Sequence, residues 1–119
     1  MDTAGLLHAF AARIDARDWA GLADLLHPDL RVNLTHTGEV LDKDAWVRLN
    51  AEYPVEVRFE VEDLVVDGSR GVARSRSWND DVTYYVASFV EVEDGLVREL
   101  VEVWTDDVAP PPAHRPTPA

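Results

Sequence analysis

The chain has 119 residues, no cysteine and a formal net charge of −12, and 46% of its residues are hydrophobic. That length suits one domain with one core, and the acidic surface sets the chain against nucleic-acid phosphates and anionic lipid as partners. The lack of cysteine excludes disulfides, thiolate metal sites and cysteine nucleophiles.

No apolar run approaches the ~20 residues needed to cross a bilayer. Met1-Asp2-Thr3-Ala4 lacks the basic start and apolar stretch of a signal peptide. The expectation is a cytoplasmic protein without membrane attachment. Leu6, Leu7, Phe10 and Ile14 recur at helical spacing and predict a helix from about Thr3 to Ala16. Asp18 can cap a second helix with Trp19, Leu22 and Leu26 on its apolar face, and Pro28 disfavours helix beyond His27, which reads as a helix-end residue.

Leu30 to Thr35 alternates as a short strand, Gly38 marks a turn, and Glu39 to Leu41 forms a second short strand. Asp42 can cap a third helix carrying Trp46, Leu49 and Tyr53, which Pro54 ends. From Val55 the period becomes two. Leu64-Val65-Val66 breaks that parity, which places a bulge near Glu62-Asp63 and bends the strand. Turns at Asp67-Gly68-Ser69, Asn79-Asp80-Asp81 and Asp94-Gly95 separate strands over Val72 to Trp78, Val82 to Val92 and Leu96 to about Asp106. Residues 1–107 therefore read as a single domain and 108–119 as a proline-rich extended tail. Helices followed by long alternating strands describe a bent sheet with helices across its concave face, a shape that encloses a pocket.

A three-residue loop of Glu93, Asp94 and Gly95 would set Val92 against Leu96, Val90 against Arg98, Ser88 against Leu100, Val86 against Glu102 and Tyr84 against Trp104. A two-residue Asp94-Gly95 turn would instead pair Glu91 with Arg98. In the first register Ser88, Val86, Tyr84, Glu102 and Trp104 share one face, toward helices and pocket. The other face holds Tyr85, Phe89, Val101 and Val103, suited to pairing with a second subunit or to ordinary local burial.

Two segments carry a family resemblance. "IDARDWAGLADLLHPDLRV" (14–32) resembles the second-helix segment of the nuclear transport factor 2-like superfamily, and "FVEVEDGLVRELVEVWTD" (89–106) resembles its closing hairpin. Within that superfamily the chain resembles the SnoaL-like branch, which includes polyketide cyclases. The resemblance implies an α+β domain, a cone-shaped curved antiparallel β-sheet with three N-terminal helices covering the concave face around a deep pocket, and a homodimer. It does not imply a catalytic set. Where steroid-isomerase relatives place a base, a tyrosine and a hydrogen-bonding carboxylic acid, this chain has Leu34, Phe10 and Ser88.

Among groups able to do chemistry, Glu102 stands among apolar and aromatic residues, a setting suited to general acid or base work. The bland alternative is an ion pair with Arg74 or Arg76. Those arginines share a strand face with Trp78; turned inward they would hold an anionic oxygen, turned outward they join a charged surface. His36 follows the first strand near the pocket opening, as a proton carrier or an idle loop histidine. Tyr84 would orient an oxygen. Some of Trp19, Trp46, Trp78, Trp104, Tyr53 and Tyr84 should line the cavity, and the others fill the core. His8, His27 and His114 receive no role. No ligand spacing supports a metal, and no glycine-rich phosphate loop supports a nucleotide, so no cofactor is expected.

The candidate site is thus Glu102, His36 and Tyr84 for catalysis, with Trp46, Arg74, Arg76, Trp78, Ser88 and Trp104 for binding. One reading is a cofactor-independent cyclase, isomerase or dehydratase acting on a small apolar cyclic molecule. The other is a non-catalytic ligand-binding or dimerisation module.

Overall fold

The computed structural model describes residues 1–117; Pro118 and Ala119, the end of the expected tail, lie outside the described residues. The N-terminal layer holds α1 (Thr3–Asp15), α2 (Trp19–Ala23) and α3 (Lys43–Ala51). Each starts at an aspartate whose carboxylate accepts a backbone N–H of the first turn: Asp2 from Gly5, Asp18 from Gly21 and Asp42 from Ala45, at 2.8 to 2.9 Å. Caps of this kind stabilise a helix end by about 1 kcal/mol each.

The strands are β1 (Leu26–Leu34), β2 (Glu39–Asp42), β3 (Arg58–Asp67), β4 (Arg70–Trp78), β5 (Thr83–Glu93) and β6 (Leu96–Trp104), ordered β2-β1-β6-β5-β4-β3 in one sheet. All neighbours are antiparallel except β1 and β6. Leu6, Leu7 and Phe10 of α1 pack with Val32, Ala73, Val90 and Leu100 on one face of this sheet to make the main core. Asp15 ties the end of α1 to the start of β3, accepting from Arg58 Nε at 2.9 Å and from the Phe59 N–H at 2.9 Å. The Arg58 hydrogen bond is the main reason the Asp15 carboxyl sits below the usual carboxylate range.

Four local expectations are corrected. β1 begins at Leu26, so His27 lies in a strand and not at a helix end. Pro28 is accommodated because the β1–β6 ladder is interrupted between Leu26 and Arg31, where no ladder N–H is required. β3 begins at Arg58 rather than Val55 because its partner β4 ends opposite at Trp78; Val55 and Val57 have no strand beside them and line the cavity instead. The third helix stops at Ala51, one turn before Pro54. The bulge in β3 falls where parity breaks, between Val61 and Asp63.

The fourth correction concerns the β5–β6 hairpin. Asp94 and Gly95 both adopt positive φ, 55° and 74°, the geometry of a two-residue turn of the twist-matched kind. Glu93 faces Leu96 and Val92 faces Val97. A bulge then leaves Arg98 unpaired in register, so Glu91 faces Glu99, Ser88 faces Glu102 and Val86 faces Trp104. The ladder is displaced by two residues from the three-residue expectation. A displacement of two preserves side-chain parity, so the inner face still carries Val86, Ser88, Val90, Leu100, Glu102 and Trp104.

The outer face carries an apolar row across five strands. Val65, Val72, Phe89 and Val101 are successive register partners, and Val40 continues the row past Asn33. Phe89 is 44% exposed and Val65 64%.

Candidate functional site

A cavity of about 280 Å³ opens between α3, the α1–α2 junction and the C-terminal end of the inner sheet face. Trp46, Leu49, Asn50 and Tyr53 of α3 form one wall. Leu34, Phe59, Ser77, Tyr84, Glu102 and Trp104 form the sheet side. The volume falls just below the ~300–1,000 Å³ common for ligand sites.

Glu102 is the buried acid among the described lining residues. It is 4% exposed and faces Leu34 on β1 and Ser88 on β5. The Trp46 indole N–H donates to its Oε1 at 2.8 Å. Trp46 is itself fixed by stacking on Phe10, with ring centroids 5.6 Å apart and planes 15° apart. Burial pushes the Glu102 carboxyl up to about 7, against the opposing pull of the Trp46 and Trp104 N–H groups. Among the described residues no cation lies within ion-pair distance of it. A carboxyl with this setting holds or releases a proton near neutrality, the condition for general acid or base work.

His36, Tyr84, Trp46 and Trp104 join Glu102 in lining the cavity. Burial first, and the Tyr84 hydroxyl second, push the Tyr53 phenol above its ordinary range, so the two tyrosines form a linked pair on the wall. The placement expected for three other residues is corrected. Arg74, Arg76 and Trp78 point to the outer face, because β4 turns Gly71, Ala73, Ser75 and Ser77 inward. Gly71 sits close under α1: a Cβ there would meet Leu7 Cδ1 at 2.8 Å. Arg74 pairs with Glu62 at 3.0 Å, and Arg76 lies over the Trp78 ring at 4.4 Å. Neither can neutralise Glu102. Ser88 faces inward but lies behind the cavity wall, its hydroxyl buried without a hydrogen-bond partner among the described residues.

His27, Glu93 and Asp94 come together at the β5–β6 turn. The Asp29 N–H donates to His27 Nδ1 at 3.0 Å, so the ring proton sits on Nε2, toward Asp94 Oδ2 at 3.8 Å. Glu93 faces Arg98 at 3.5 Å. The Nδ1 lone pair of His27 is thus already used by the Asp29 N–H and is not turned to a cation. Tyr53, one of the aromatics expected to line the cavity or fill the core, lies in its wall, whereas Arg17, Asn50 and Ser77 line it without having been singled out by sequence reasoning. The signal available for Arg17 was the junction Ala16-Arg17-Asp18, where one helix must end and the next be capped with no glycine between them.

The family model for the SnoaL-like domain matches residues 7–108. The chain belongs to the SnoaL-like family. Among solved structures, this SnoaL-like chain is similar to a candidate ketosteroid isomerase from Kribbella flavida, with 28% identity, TM-score 0.83, and coverage of 97% of this chain and 89% of that one. It is similar in fold to a nuclear transport factor 2-like protein of unknown function from Burkholderia xenovorans, with 19% identity, TM-score 0.80, and coverage of 90% and 85%. It is also similar in fold to IdmH, a candidate polyketide cyclase from Streptomyces antibioticus, with 15% identity, TM-score 0.73, and coverage of 85% and 90%. No protein of curated function matches the chain. No helix among the described residues is long and apolar enough to cross a membrane.

Proposed function

We propose that this SnoaL-like protein is a cofactor-independent acid/base enzyme that moves a proton on a small apolar cyclic compound, as a cyclase, isomerase or dehydratase does. The observation that carries this reading is Glu102, buried in an aromatic cavity, without a cationic partner among the described residues and poised near neutrality. Its carboxyl would transfer the proton, the Trp46 N–H would hold it in place, and Tyr84 with His36 would orient a substrate oxygen at the wall. Leu34 and Phe10 occupy the positions where the resemblance puts a steroid-isomerase base and tyrosine. Glu102 stands directly beside Leu34 on the next strand, so acid chemistry has a different origin in this cavity.

A bicyclic ketone with exchangeable α-protons, 2-tetralone, tests the reading. The wild-type protein is expected to accelerate hydrogen–deuterium exchange at those protons, followed by NMR in D₂O near pD 7, and Glu102→Gln is expected to lose that acceleration. Binding of 2-tetralone without exchange would reverse the reading in favour of a non-catalytic ligand-binding module, which the compact cavity and the apolar Leu34 and Phe10 favour.

The row Val65–Val72–Phe89–Val101, exposed at Val65 and Phe89 and half-buried at Val72 and Val101, supports pairing of two copies through their outer faces, since an apolar strip of this kind suits an interface core. Light scattering on the eluting protein is expected to give a dimer mass for the wild type and a monomer mass for Phe89→Glu. A monomeric wild type at tens of micromolar would rule this pairing out.

A further inference from the structure

We infer that Arg17 is an anion-recognition residue at the cavity mouth and that the ligand carries a carboxylate or an equivalent negative group there. The inference rests on the reading of the cavity as a site for a small cyclic compound, and names the class of that compound more closely.

The first observation is backbone geometry. Arg17 closes α1: its N–H donates to the Ile14 carbonyl at 3.0 Å, and the Asp18 N–H donates to the Arg13 carbonyl at 2.9 Å. This is the reversal that ends many helices, and its left-handed position is ordinarily glycine. Arg17 adopts φ 56° there, a conformation that costs a residue with a Cβ. Strain of this sort persists where the side chain is required and the surroundings hold it.

The second observation is where the side chain goes. The guanidinium lies over the Trp19 ring at 5.5 Å, and both residues line the cavity. The Arg17 side chain is 32% exposed, yet its ion-pair partner is the largely solvated Glu56 at 3.8 Å. Arg13 and Arg58 hold their aspartates at 2.9 Å. Arg17 is therefore held against an aromatic wall with most of its donor capacity unspent, and a planar fork of N–H donors matches a carboxylate. It is the one lysine or arginine among the described lining residues.

The third observation is the direction of polarity. The acids among the lining residues are Glu39, Glu102 and Asp106. Glu39 accepts from the Thr37 hydroxyl at 2.8 Å. Glu102 stands at the buried sheet side, where among the described residues no cation is at hand and burial opposes an anionic group. A ligand with an apolar ring, a neutral oxygen toward Glu102 and an anionic group toward Arg17 satisfies both ends; the reverse orientation satisfies neither.

The test uses a matched pair, 2-naphthoate and 2-naphthamide, titrated by calorimetry at pH 6, where the naphthoate is charged. Wild-type protein is expected to bind the naphthoate about tenfold more tightly than the amide. Arg17→Gly and Arg17→Gln are expected to lose that preference and keep the affinity for the amide. Because glycine relieves the left-handed strain, Arg17→Gly is also expected to melt at or above the wild-type temperature. A wild type without preference, a preference that survives in both variants, or a lower melting temperature for Arg17→Gly would overturn the role of Arg17 while leaving the cavity reading intact. Failure of both compounds to bind the wild type would overturn the cavity reading, and this inference with it.

Discussion

Replacing Glu102 by glutamine is expected to slow exchange of 2-tetralone α-protons by at least 100-fold and, at pH 8, to make the protein more stable. The rate effect follows from removing the buried carboxyl proposed to carry the proton, since a placed acid or base contributes about 10²–10⁴ in rate. The stability effect follows from linkage. The Glu102 carboxyl titrates near 7 when folded and near 4.5 when exposed, so the folded state binds more protons between those values. Its contribution is fully present below about pH 4.5 and is lost as pH rises through 7, by roughly 3 kcal/mol. Glutamine keeps the shape and an acceptor for the Trp46 N–H, and it never ionises. Denaturant unfolding across pH 4 to 8 is expected to show variant and wild type alike at the acid end and diverging by that amount at the alkaline end. Parallel curves would mean that Glu102 is not held as a neutral acid.

Trp46→Phe is expected to have the next largest effect. Trp46 is 1% exposed, so the smaller ring leaves a void, and the lost N–H leaves Glu102 Oε1 without its donor. Together these cost about 2–4 kcal/mol. The chemical signature is more telling than the stability. The N–H stabilises the charged carboxylate, so its removal raises the Glu102 pKa by about one unit. The pH–rate profile for exchange is expected to move to higher pH by that amount, with the stacking on Phe10 kept by the phenyl ring. Loss of stability with an unmoved profile would make Trp46 a packing residue only.

Much of this fold is legible in the chain because its signals are local. Asp18 and Asp42 announce helix starts, and the parity break at Leu64-Val65-Val66 announces the bulge at Glu62. The placement of Glu102 was legible for a less secure reason. The hairpin turn is two residues rather than three, and the bulge at Arg98 restores the parity that a one-residue change would have lost. Without that bulge the acid would face outward.

The misplaced residues share a cause. Assigning Arg74, Arg76 and Trp78 to the pocket put the larger side chains of β4 inside. α1 lies so close over Gly71 that a Cβ there would meet Leu7, and Ala73 packs into the same core, which is a property of helix–sheet distance and not of the strand's own pattern. The contact between Trp46 and Glu102 joins residues 56 apart in sequence, and no local pattern reports it. Arg17 was legible in principle, as a helix junction lacking glycine.

The most direct test of this reading is the ionisation of Glu102 itself. In protein labelled with ¹³C at glutamate Cδ, the Glu102 resonance is identified by its absence from Glu102→Gln and followed from pH 3 to 9. A midpoint near 7 is expected. A midpoint near 4.5, the value of an ordinary solvated glutamate, would contradict the assignment of Glu102 as the buried proton carrier.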